Sequence, residues 1–174
     1  MASNPLETTL RPFRISDAED LLKYAGDEEA IRFTRLNTMT SKEEAISYIQ
    51  NFCIPHPYCR SICINGDRCI GYVSVKPAES EYRCRAQLAY GIAREYWGQG
   101  ITARAAKMAI SEGFREFPDL VRLQSFVEVE NKASQRELEK TGFQKEGVMR
   151  KYRINRGQIK DMVLFSLLST DTIP

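Results

Sequence analysis

The chain has 174 residues, 43% of them hydrophobic, and a formal net charge of +2. This size predicts a single domain over residues 1–174 with a sizeable core, and the near-neutral charge does not indicate a nucleic-acid partner. No stretch has the apolar length that spans a bilayer, so we expect no membrane partner and a cytoplasmic or nuclear location.

The N-terminal third is predicted to contain one strand and two helices. Residues 8–13 are typical of a strand. The motif Ser-x-x-Glu occurs at 16–19 and again at 41–44, and each copy predicts a capping box at the start of a helix. The second of these helices carries an apolar stripe and is expected to end at Pro55.

The rest of the chain is predicted to alternate hairpins with two further helices. Strands at 58–64 and 69–76 flank Asn65-Gly66, a strong hairpin signal. The remaining predicted elements are a strand at 83–93, a helix through 106–117, a strand at 121–127, a short helix at 131–141 and strands at 143–152 and 159–168. This order predicts an α+β fold with a mixed, mostly antiparallel twisted sheet of about seven strands.

The five cysteines and the one histidine raise the question of a metal or redox site. The cysteines include no Cys-x-x-Cys pair, and His56 lies between two prolines. That spacing is poor for zinc, so we expect no metal and mostly structural, reduced thiols. An isolated histidine also argues against a nucleophilic triad.

The junction at residues 94–103 is the most informative segment. Gly98 and Gly100 are one residue apart at the start of a predicted helix. Glycines there leave several backbone N–H groups unpaired and unobstructed, next to the positive end of the helix macrodipole. Such a site suits a phosphate or a pyrophosphate.

A dinucleotide-binding fingerprint is one alternative, because Gly98-x-Gly100-x-x-Ala103 matches its spacing. Three observations count against it: residues 94–97 separate the strand from the glycines, the preceding strands are linked as hairpins, and little chain follows Gly100. A Walker A loop is excluded, since no Gly-Lys-Ser/Thr is present. A turn that binds no ligand is the purely structural alternative.

Four segments in sequence order resemble the GNAT family of acetyl-CoA-dependent N-acetyltransferases, and within it the ribosomal-protein N-terminal acetyltransferases. They are the strand at 86–93, the loop at 96–100, the segment at 131–143 and the hairpin at 146–161. The resemblance implies a GNAT-like sheet with helices on both faces and a splay between strands four and five. It also implies an enzyme that transfers an acetyl group from acetyl-CoA to a primary amine.

The resemblance further implies where acetyl-CoA, the expected cosubstrate, binds. The strand edge at 92–94 would pair with the pantetheine arm, and N–H groups of residues 97–102 would hold the pyrophosphate. Asn131 would contact the pantetheine arm, and Ser134 would lie near the sulfur. The predicted cofactor-binding residues are Ile92, Ala93, Arg94, Trp97, Gly98, Gln99, Gly100, Ile101, Thr102, Asn131 and Ser134.

Two positions depart from the family pattern. Glu95 stands where Gln or Arg is common, and we expect its carboxylate to point outward, away from phosphate. Gln87 replaces the glutamate that many relatives have on the fourth strand. Asn131 and Ser134 can also be ordinary capping residues. A noncatalytic acyl-CoA-binding regulatory module is therefore the alternative function.

The chemistry requires a donor for the oxyanion and a proton for the leaving thiolate. The Ile92 N–H is the predicted oxyanion donor, at a bulge expected where Gly91 starts the splay. Ser134 is the first candidate for the proton source, ahead of Tyr152 and Tyr90. Each of these three side chains has a packing or hydrogen-bonding role as its alternative.

The amine must lose a proton before it attacks, and the base is harder to name. Glu128 is the first candidate and Glu130 the second, at the end of the fifth strand. A water chain, or binding of amines that are already neutral, is the alternative. We expect direct attack in a ternary complex, without a covalent acetyl-enzyme.

The acceptor is predicted to be a protein N-terminus or a polyamine or other small amine. The loop from residue 34 to 41 is expected to form one wall of its site. A polyamine site would need clustered acids, for which the candidates are Asp27, Glu28, Glu29, Glu43 and Glu44. Five basic residues between 150 and 160 are either a solvated strand face or an attractant for phosphate or an acidic protein. The chain is expected to act as a monomer or homodimer.

Overall fold

The structure is a computed structural model, and it describes residues 6–174. Its strands are β1 (Thr8–Pro12), β2 (Cys59–Ile64), β3 (Arg68–Pro77), β4 (Arg85–Ile92), β5 (Arg122–Glu128), β6 (Gln144–Asn155) and β7 (Gln158–Leu168). Its helices are α1 (Ala18–Ala25), α2 (Lys42–Tyr48), α3 (Ile101–Glu116) and α4 (Lys132–Lys140). A π-helical turn (Ile49–Cys53) extends α2.

The seven strands form one sheet in the order β1-β2-β3-β4-β5-β7-β6. Every neighbouring pair is antiparallel except β4 and β5, which are parallel. The predicted α+β fold with a mostly antiparallel seven-stranded sheet is therefore confirmed. Within residues 6–174, no helix is both long enough and apolar enough to cross a bilayer.

Helices cover both faces of the sheet, and strand alternation separates the two cores. On one face, α3 packs so closely on β3 that a Cβ at Gly113 would lie 3.4 Å from the Val75 side chain. On the other face, the rings of Tyr24 in α1 and Tyr72 in β3 are 6.2 Å apart. Residues 73 and 75 of β3 thus face α3, whereas 72, 74 and 76 face the side of α1 and α2.

The two capping boxes have different outcomes. Ser41 accepts a hydrogen bond from the Glu44 N–H at 3.2 Å, so the cap predicted for α2 is confirmed. The box predicted at 16–19 is wrong, because a short 3₁₀ turn precedes α1 and Asp17 accepts the Arg14 N–H at 2.8 Å instead. Glu19 points outward to Lys42.

Both predicted hairpins are present and turn through residues with positive φ. Asn65 and Gly66 have φ of 50° and 91°, and Arg156 and Gly157 have 48° and 75°. Left-handed conformations at two central residues match the right-handed twist of the flanking strands. The second hairpin is longer than predicted, since β6 continues to Asn155.

The predicted splay between β4 and β5 is confirmed, but it starts earlier than Gly91. The two strands pair only through residues 85–87 and 122–124, and the Ser125 hydroxyl then spans the widening gap to the Leu88 carbonyl at 3.0 Å. Pairing of β4 with β3 continues unbroken through Gly91, so no bulge forms there. Gly91 is small for another reason: a Cβ would lie 2.1 Å from the Tyr24 hydroxyl.

Candidate active site

The splay opens into a cavity of about 720 Å³ that passes from one face of the sheet to the other. On the α3 face it is lined by the start of α3 and by α4. On the opposite face it is lined by the segment 29–36, by the end of α2 and by side chains of β3, β4 and β5. The cavity therefore joins a helix N-terminus to a separate compartment through the sheet.

The glycine loop forms the helix N-terminus that the sequence predicted. Gly98 and Gly100 have φ of 75° and 70°, which favours glycine at both positions. Within residues 6–174, the N–H groups of residues 98–102 donate to no protein acceptor. Trp97 differs, because its N–H donates to the Arg94 carbonyl at 3.1 Å. The predicted set of pyrophosphate-binding amides is thus corrected at Trp97.

Side chains hold this loop in place. The Trp97 indole N–H donates to the Ile92 carbonyl at 3.1 Å, and Arg104 donates to the Gln99 carbonyl at 3.2 Å. Glu95 is exposed and lies 3.8 Å from Arg68, outside the cavity lining, so the predicted outward orientation is confirmed. Its carboxylate therefore does not oppose a phosphate at Gly98.

The edge of β4 supplies different backbone groups from those predicted. The Ala93 N–H donates to the Ile70 carbonyl at 2.8 Å, and the Ala93 and Arg94 carbonyls accept from Tyr96 and Trp97. Because antiparallel strands alternate in hydrogen bonding, the neighbouring Ile92 N–H points away from β3 and into the splay. The backbone N–H of Tyr90, two residues earlier in β4, has the same orientation. The prediction is therefore corrected at the Ala93 N–H, whereas the Arg94 N–H has no acceptor within residues 6–174 and its pairing with the pantetheine arm stays a prediction. Both residues lie outside the lining of this cavity.

Asn131 and Ser134 are both capping residues and cavity-lining residues. The Asn131 side chain accepts the Ser134 N–H at 3.2 Å and donates to the Ser134 hydroxyl oxygen at 3.1 Å. The Ser134 hydroxyl therefore keeps its own proton for a further partner. The Tyr90 hydroxyl donates to the Ser134 carbonyl at 3.3 Å, and burial raises the pKa of Tyr90 well above its ordinary value.

Glu128 lies in the cavity wall at the end of β5, with only 2% of its surface exposed. Its Oε1 accepts hydrogen bonds from Arg153, at 3.3 Å, and from Asn155. The Lys160 ammonium lies 4.0 Å from Oε2. Glu130 is outside the cavity lining and pairs with Lys160 at 3.2 Å. Of the two predicted bases, only Glu128 faces the cavity.

Tyr152 is placed away from the cavity lining. Its ring stacks on Phe126 at 5.6 Å and is 53% exposed. Phe126 itself lines the cavity, so Tyr152 supports the wall from outside. A proton-donating role for Tyr152 has no support in this geometry.

The predicted acidic cluster does not form in the cavity. Asp27 pairs with Arg94 at 3.1 Å, and Glu44 accepts the Thr40 N–H at 2.7 Å. Of the five acids considered, only Glu29 lines the cavity, and it pairs with Arg32 at 3.6 Å. Within the described cavity lining, these five acids therefore form no cluster suited to a polycation.

Other polar residues on the α1 and α2 face of the cavity were not predicted as site residues, among them His56, Tyr72, Ser74 and Lys76, whereas Arg35 lies in the predicted wall at 34–41. Burial, and secondly the charge of Lys76, hold the pKa of His56 below its ordinary value. Its Nδ1 accepts the Tyr58 N–H at 3.2 Å, so the proton of the neutral ring is on Nε2. The period-two pattern of β3 was the available signal for Tyr72 and Lys76.

Comparison with known proteins gives a consistent family match. The model of the acetyltransferase (GNAT) domain matches residues 7–144. The uncharacterised N-acetyltransferase YoaA of Bacillus subtilis is 33% identical over 164 residues, which cover 91% of this chain and 92% of that protein.

Two solved structures share the fold at low sequence identity. The spermidine N-acetyltransferase of Vibrio cholerae, in complex with CoA and spermine, has a TM-score of 0.78 at 18% identity and covers 94% of this chain and 96% of its own. RimL, a ribosomal alpha-N-protein acetyltransferase in complex with coenzyme A, has a TM-score of 0.76 at 22% identity, with 92% and 93% covered.

Proposed function

The chain belongs to the GNAT family of acetyltransferases, and we propose that it transfers the acetyl group of acetyl-CoA to a primary amine by direct attack in a ternary complex. We also propose that residues 1–174 form one GNAT domain. The single observation that carries the proposal is the cavity through the splay. It joins unpaired amides at the start of α3 to a separate compartment on the opposite face.

The α3 face is the side for acetyl-CoA. Five N–H groups at residues 98–102 have no protein acceptor in the described chain, and they adjoin the positive end of a 16-residue helix. Arg136 and Lys140 of α4 also line this part of the cavity. Together these groups suit the pyrophosphate of coenzyme A. The Tyr90 backbone then offers hydrogen bonds to the amides of the pantetheine arm, since the Ile92 carbonyl already accepts from the Trp97 indole.

The opposite face is the side for the amine. An alkylammonium ion must lose a proton before its nitrogen can attack. Glu128 lies at this face, and only its Oε1 is hydrogen-bonded within residues 6–174. Oε2 can therefore accept a hydrogen bond from the incoming ammonium and receive its proton. Arg153 and Asn155 keep the carboxylate in position during that transfer.

Transfer itself needs two donors on the cofactor side. The amine nitrogen forms a bond to the thioester carbonyl carbon, and the carbonyl oxygen becomes an oxyanion that the Ile92 N–H can stabilise. The carbon–sulfur bond then breaks. Ser134 can donate its hydroxyl proton to the leaving thiolate, because its oxygen already accepts from Asn131. The nitrogen, now bonded to the acetyl carbon, releases its second proton to solvent, and solvent restores the proton of Ser134.

The acceptor can be a protein N-terminus or a small amine. The compartment has the segment 29–36 as one wall and belongs to a cavity of about 720 Å³, which has room for the end of a chain. The absence of clustered acids within the described cavity lining favours a peptide amine over a polyamine. The substrates of the two structural neighbours, a ribosomal protein N-terminus and spermidine, define the comparison to make.

The test is an acetylation assay that follows the release of free thiol from acetyl-CoA with a panel of amines. We expect release to depend on the amine, and initial rates to give intersecting double-reciprocal lines. Parallel lines together with an isolable acetyl-enzyme would contradict direct attack. Binding of acetyl-CoA with no release for any amine would instead favour a regulatory acyl-CoA-binding module.

A further inference from the structure

The floor of the amine compartment, on the face of the sheet toward α1 and α2, consists of side chains of β3, β4 and β5. The pairing of these strands fixes the relative positions of the side chains. Tyr72, Ser74 and Lys76 of β3 pair with Gly91, Ala89 and Gln87 of β4. Gln87 pairs with Gln124 of β5, and continuing this parallel register places Ala89 level with residue 126 and Gly91 level with residue 128. Side chains of paired residues point to the same face of a sheet. Glu128 is thus level with Gly91, and Lys76 is level with Gln87.

A carboxylate, paired with Arg153, lies at one end of this floor, and an ammonium that is unpaired in the described part of the chain lies at the other. Glu128 is the acid at the open end of the splay, and Lys76 is the cation at its closed end. Along the strands the two residues are four positions apart, or about 13 Å at ~3.3 Å per residue, and across the sheet they are two strands apart, or about 10 Å at ~4.8 Å per strand spacing. The middle of the floor carries only the small side chains Ser74 and Ala89 beside Phe126. An extended chain can therefore lie across the floor between the two charges.

The cations of this compartment are not neutralised by the protein. Within residues 6–174, Lys76 and Arg35 form no ion pair, although both line the cavity. The acids that line the cavity are all paired: Glu29 with Arg32, Glu128 with Arg153 and Glu137 with Lys140. The neutral His56 adds an N–H donor near Lys76, as the effect of Lys76 on its pKa indicates.

Resting on the proposed function, we propose that the acceptor is the N-terminus of an extended peptide with an acidic side chain within its first few residues. The α-ammonium binds at Glu128, and the acidic side chain binds Lys76, with His56 beside it. The third and fourth residues of the peptide are the positions that can reach Lys76, because an extended chain advances ~3.3–3.6 Å per residue and the two side chains that meet cover the rest of the separation. A polycation would place positive charge against unpaired Lys76 and Arg35.

The experiment uses a panel of tetrapeptides that differ only at the third residue, which is glutamate, glutamine or lysine, together with free glutamate and spermidine. We expect kcat/KM for the glutamate peptide to exceed that for the lysine peptide by roughly tenfold or more, since a hydrogen bond to a charged group contributes on that scale. Free glutamate should be a poor acceptor, because its carboxylates lie too close to its amine to reach Lys76.

The charge reversal Lys76→Glu should invert the ratio of kcat/KM between the glutamate and lysine peptides. The matched control is Lys145→Glu, the same change at an exposed lysine of β6 outside the cavity lining, and it should leave the ratio unchanged. If Lys76→Glu fails to fold, Lys76→Met serves in its place and should reduce the ratio toward one.

The possible failures can be told apart. Transfer to no amine in the panel would overturn the proposed function and this inference with it. Transfer that does not depend on the third residue, or an unchanged ratio in both Lys76 variants, would overturn the inference alone. Spermidine or free glutamate as the best acceptor would also overturn it, because neither matches the separation between Glu128 and Lys76.

Discussion

The Ser134 hydroxyl accepts one hydrogen bond, from Asn131, and keeps its own proton available for donation. Asn131 donates to its oxygen at 3.1 Å and also accepts the Ser134 N–H, so the side chain and the start of α4 are fixed together. The cap itself uses the Ser134 backbone and therefore does not need the hydroxyl. Structural and catalytic contributions of this residue can thus be separated by removing one atom.

Ser134→Ala should lower kcat by roughly tenfold to a hundredfold, the lower part of the range for general acid catalysis. The dissociation constant for coenzyme A should change less than threefold, because the Asn131 cap remains (a 1 kcal/mol loss would give about fivefold). Steady-state kinetics and calorimetry measure the two effects. An equal loss of affinity and turnover would indicate a binding role only.

A substitution at Gly98 tests the proposed phosphate site. Gly98→Ala keeps open space around the new methyl group but forces alanine to φ near 75°, at a cost of about 1–2 kcal/mol. We expect the dissociation constant for coenzyme A to rise roughly tenfold, because the amides at 98–102 lose their alignment. Gly66→Ala is the control, since Gly66 has φ of 91° and open space at a distant hairpin. Equal dissociation constants for coenzyme A in the Gly98→Ala and Gly66→Ala variants would contradict a role of this loop in cofactor binding.

At the scale of elements, the contact between α1 and β4 depends on a glycine. An ideal Cβ on Gly91 would lie 2.1 Å from the Tyr24 hydroxyl oxygen and 2.9 Å from Cζ, and the Tyr24 ring is fully buried. The hydroxyl has no hydrogen-bond partner in the described part of the chain. Gly91→Ala should therefore reduce the free energy of unfolding by about 1–3 kcal/mol through overpacking.

Tyr24→Phe should partly restore the stability of Gly91→Ala, because it removes the nearer of the two clashing atoms. Alone, Tyr24→Phe should be close to neutral, since the lost hydroxyl made no hydrogen bond. Urea unfolding of the two single variants and the double variant measures the coupling. Gly147→Ala, at a strand position with open space, is the control. Strictly additive effects of Gly91→Ala and Tyr24→Phe on the free energy of unfolding would contradict a direct contact between the two residues.

The pairing of β5, β7 and β6 includes an ion pair with a pH signature. Arg122 donates to both oxygens of Glu146 at 2.7 Å, and Ser166 also donates to Glu146. First Arg122 and then Ser166 lower the pKa of Glu146 from 4.5 to about 2. Because the folded state binds the proton more weakly than the unfolded state, the stabilisation is present above pH 4.5 and is lost as the pH falls toward 2.

Glu146→Gln should therefore lower the free energy of unfolding at pH 7 by roughly 1 kcal/mol, a small value because the Glu146 side chain is 39% exposed. The difference from the parent protein should shrink between pH 4.5 and pH 2. Chemical denaturation across this range is the measurement. The same substitution at Glu81, an exposed acid, should show no such trend, and a constant difference at all pH values would contradict the assignment.

At the scale of the whole molecule, sequence patterns predicted what local rules determine. Period-two strands, the hairpins at Asn65-Gly66 and Asn155-Arg156-Gly157, and the glycine entry to α3 all follow from short-range preferences, and the structure contains each of them. The order of these elements was enough to predict the sheet, whereas the family and the splay followed from the resemblance of four segments to the GNAT family. The α3 side of the cavity, where we propose that acetyl-CoA binds, was also predictable from short-range patterns. One contiguous loop, which contains Gly98 and Gly100, forms most of it.

The amine side was predictable only in part: Glu128 and the loop at 34–41 were expected there, but the remaining residues are far apart in the chain. Lys76 and Glu128 come together only through strand register, and Arg35 lies on a loop without regular structure. His56 carried no signal because its flanking prolines gave it an ordinary role at a helix end. The corrections at Ala93 and Trp97 arose similarly, since tertiary and turn hydrogen bonds occupy amides that a linear motif leaves open.

The tip of the β6–β7 hairpin connects the segment 29–36, a wall of the proposed amine compartment, to Glu128, the proposed base. Asn155 donates to Glu128 and also to the Arg32 carbonyl at 3.2 Å, across 123 residues of sequence. Arg156 adds weaker contacts to the carbonyls of Ile31 and Leu36. The hairpin thus fixes the position of the segment 29–36 relative to Glu128, and the acceptor depends on both.

Asn155→Ala should therefore raise KM for a peptide acceptor several-fold while leaving the dissociation constant for coenzyme A unchanged, since the cofactor binds on the other face. The free energy of unfolding should fall by about 1–2 kcal/mol for the two lost hydrogen bonds. Gln158→Ala is the matched control, because Gln158 pairs with Asn155 in the hairpin but lies outside the cavity. A uniform loss of cofactor and acceptor affinity in Asn155→Ala would show that the hairpin stabilises the fold without shaping the amine site.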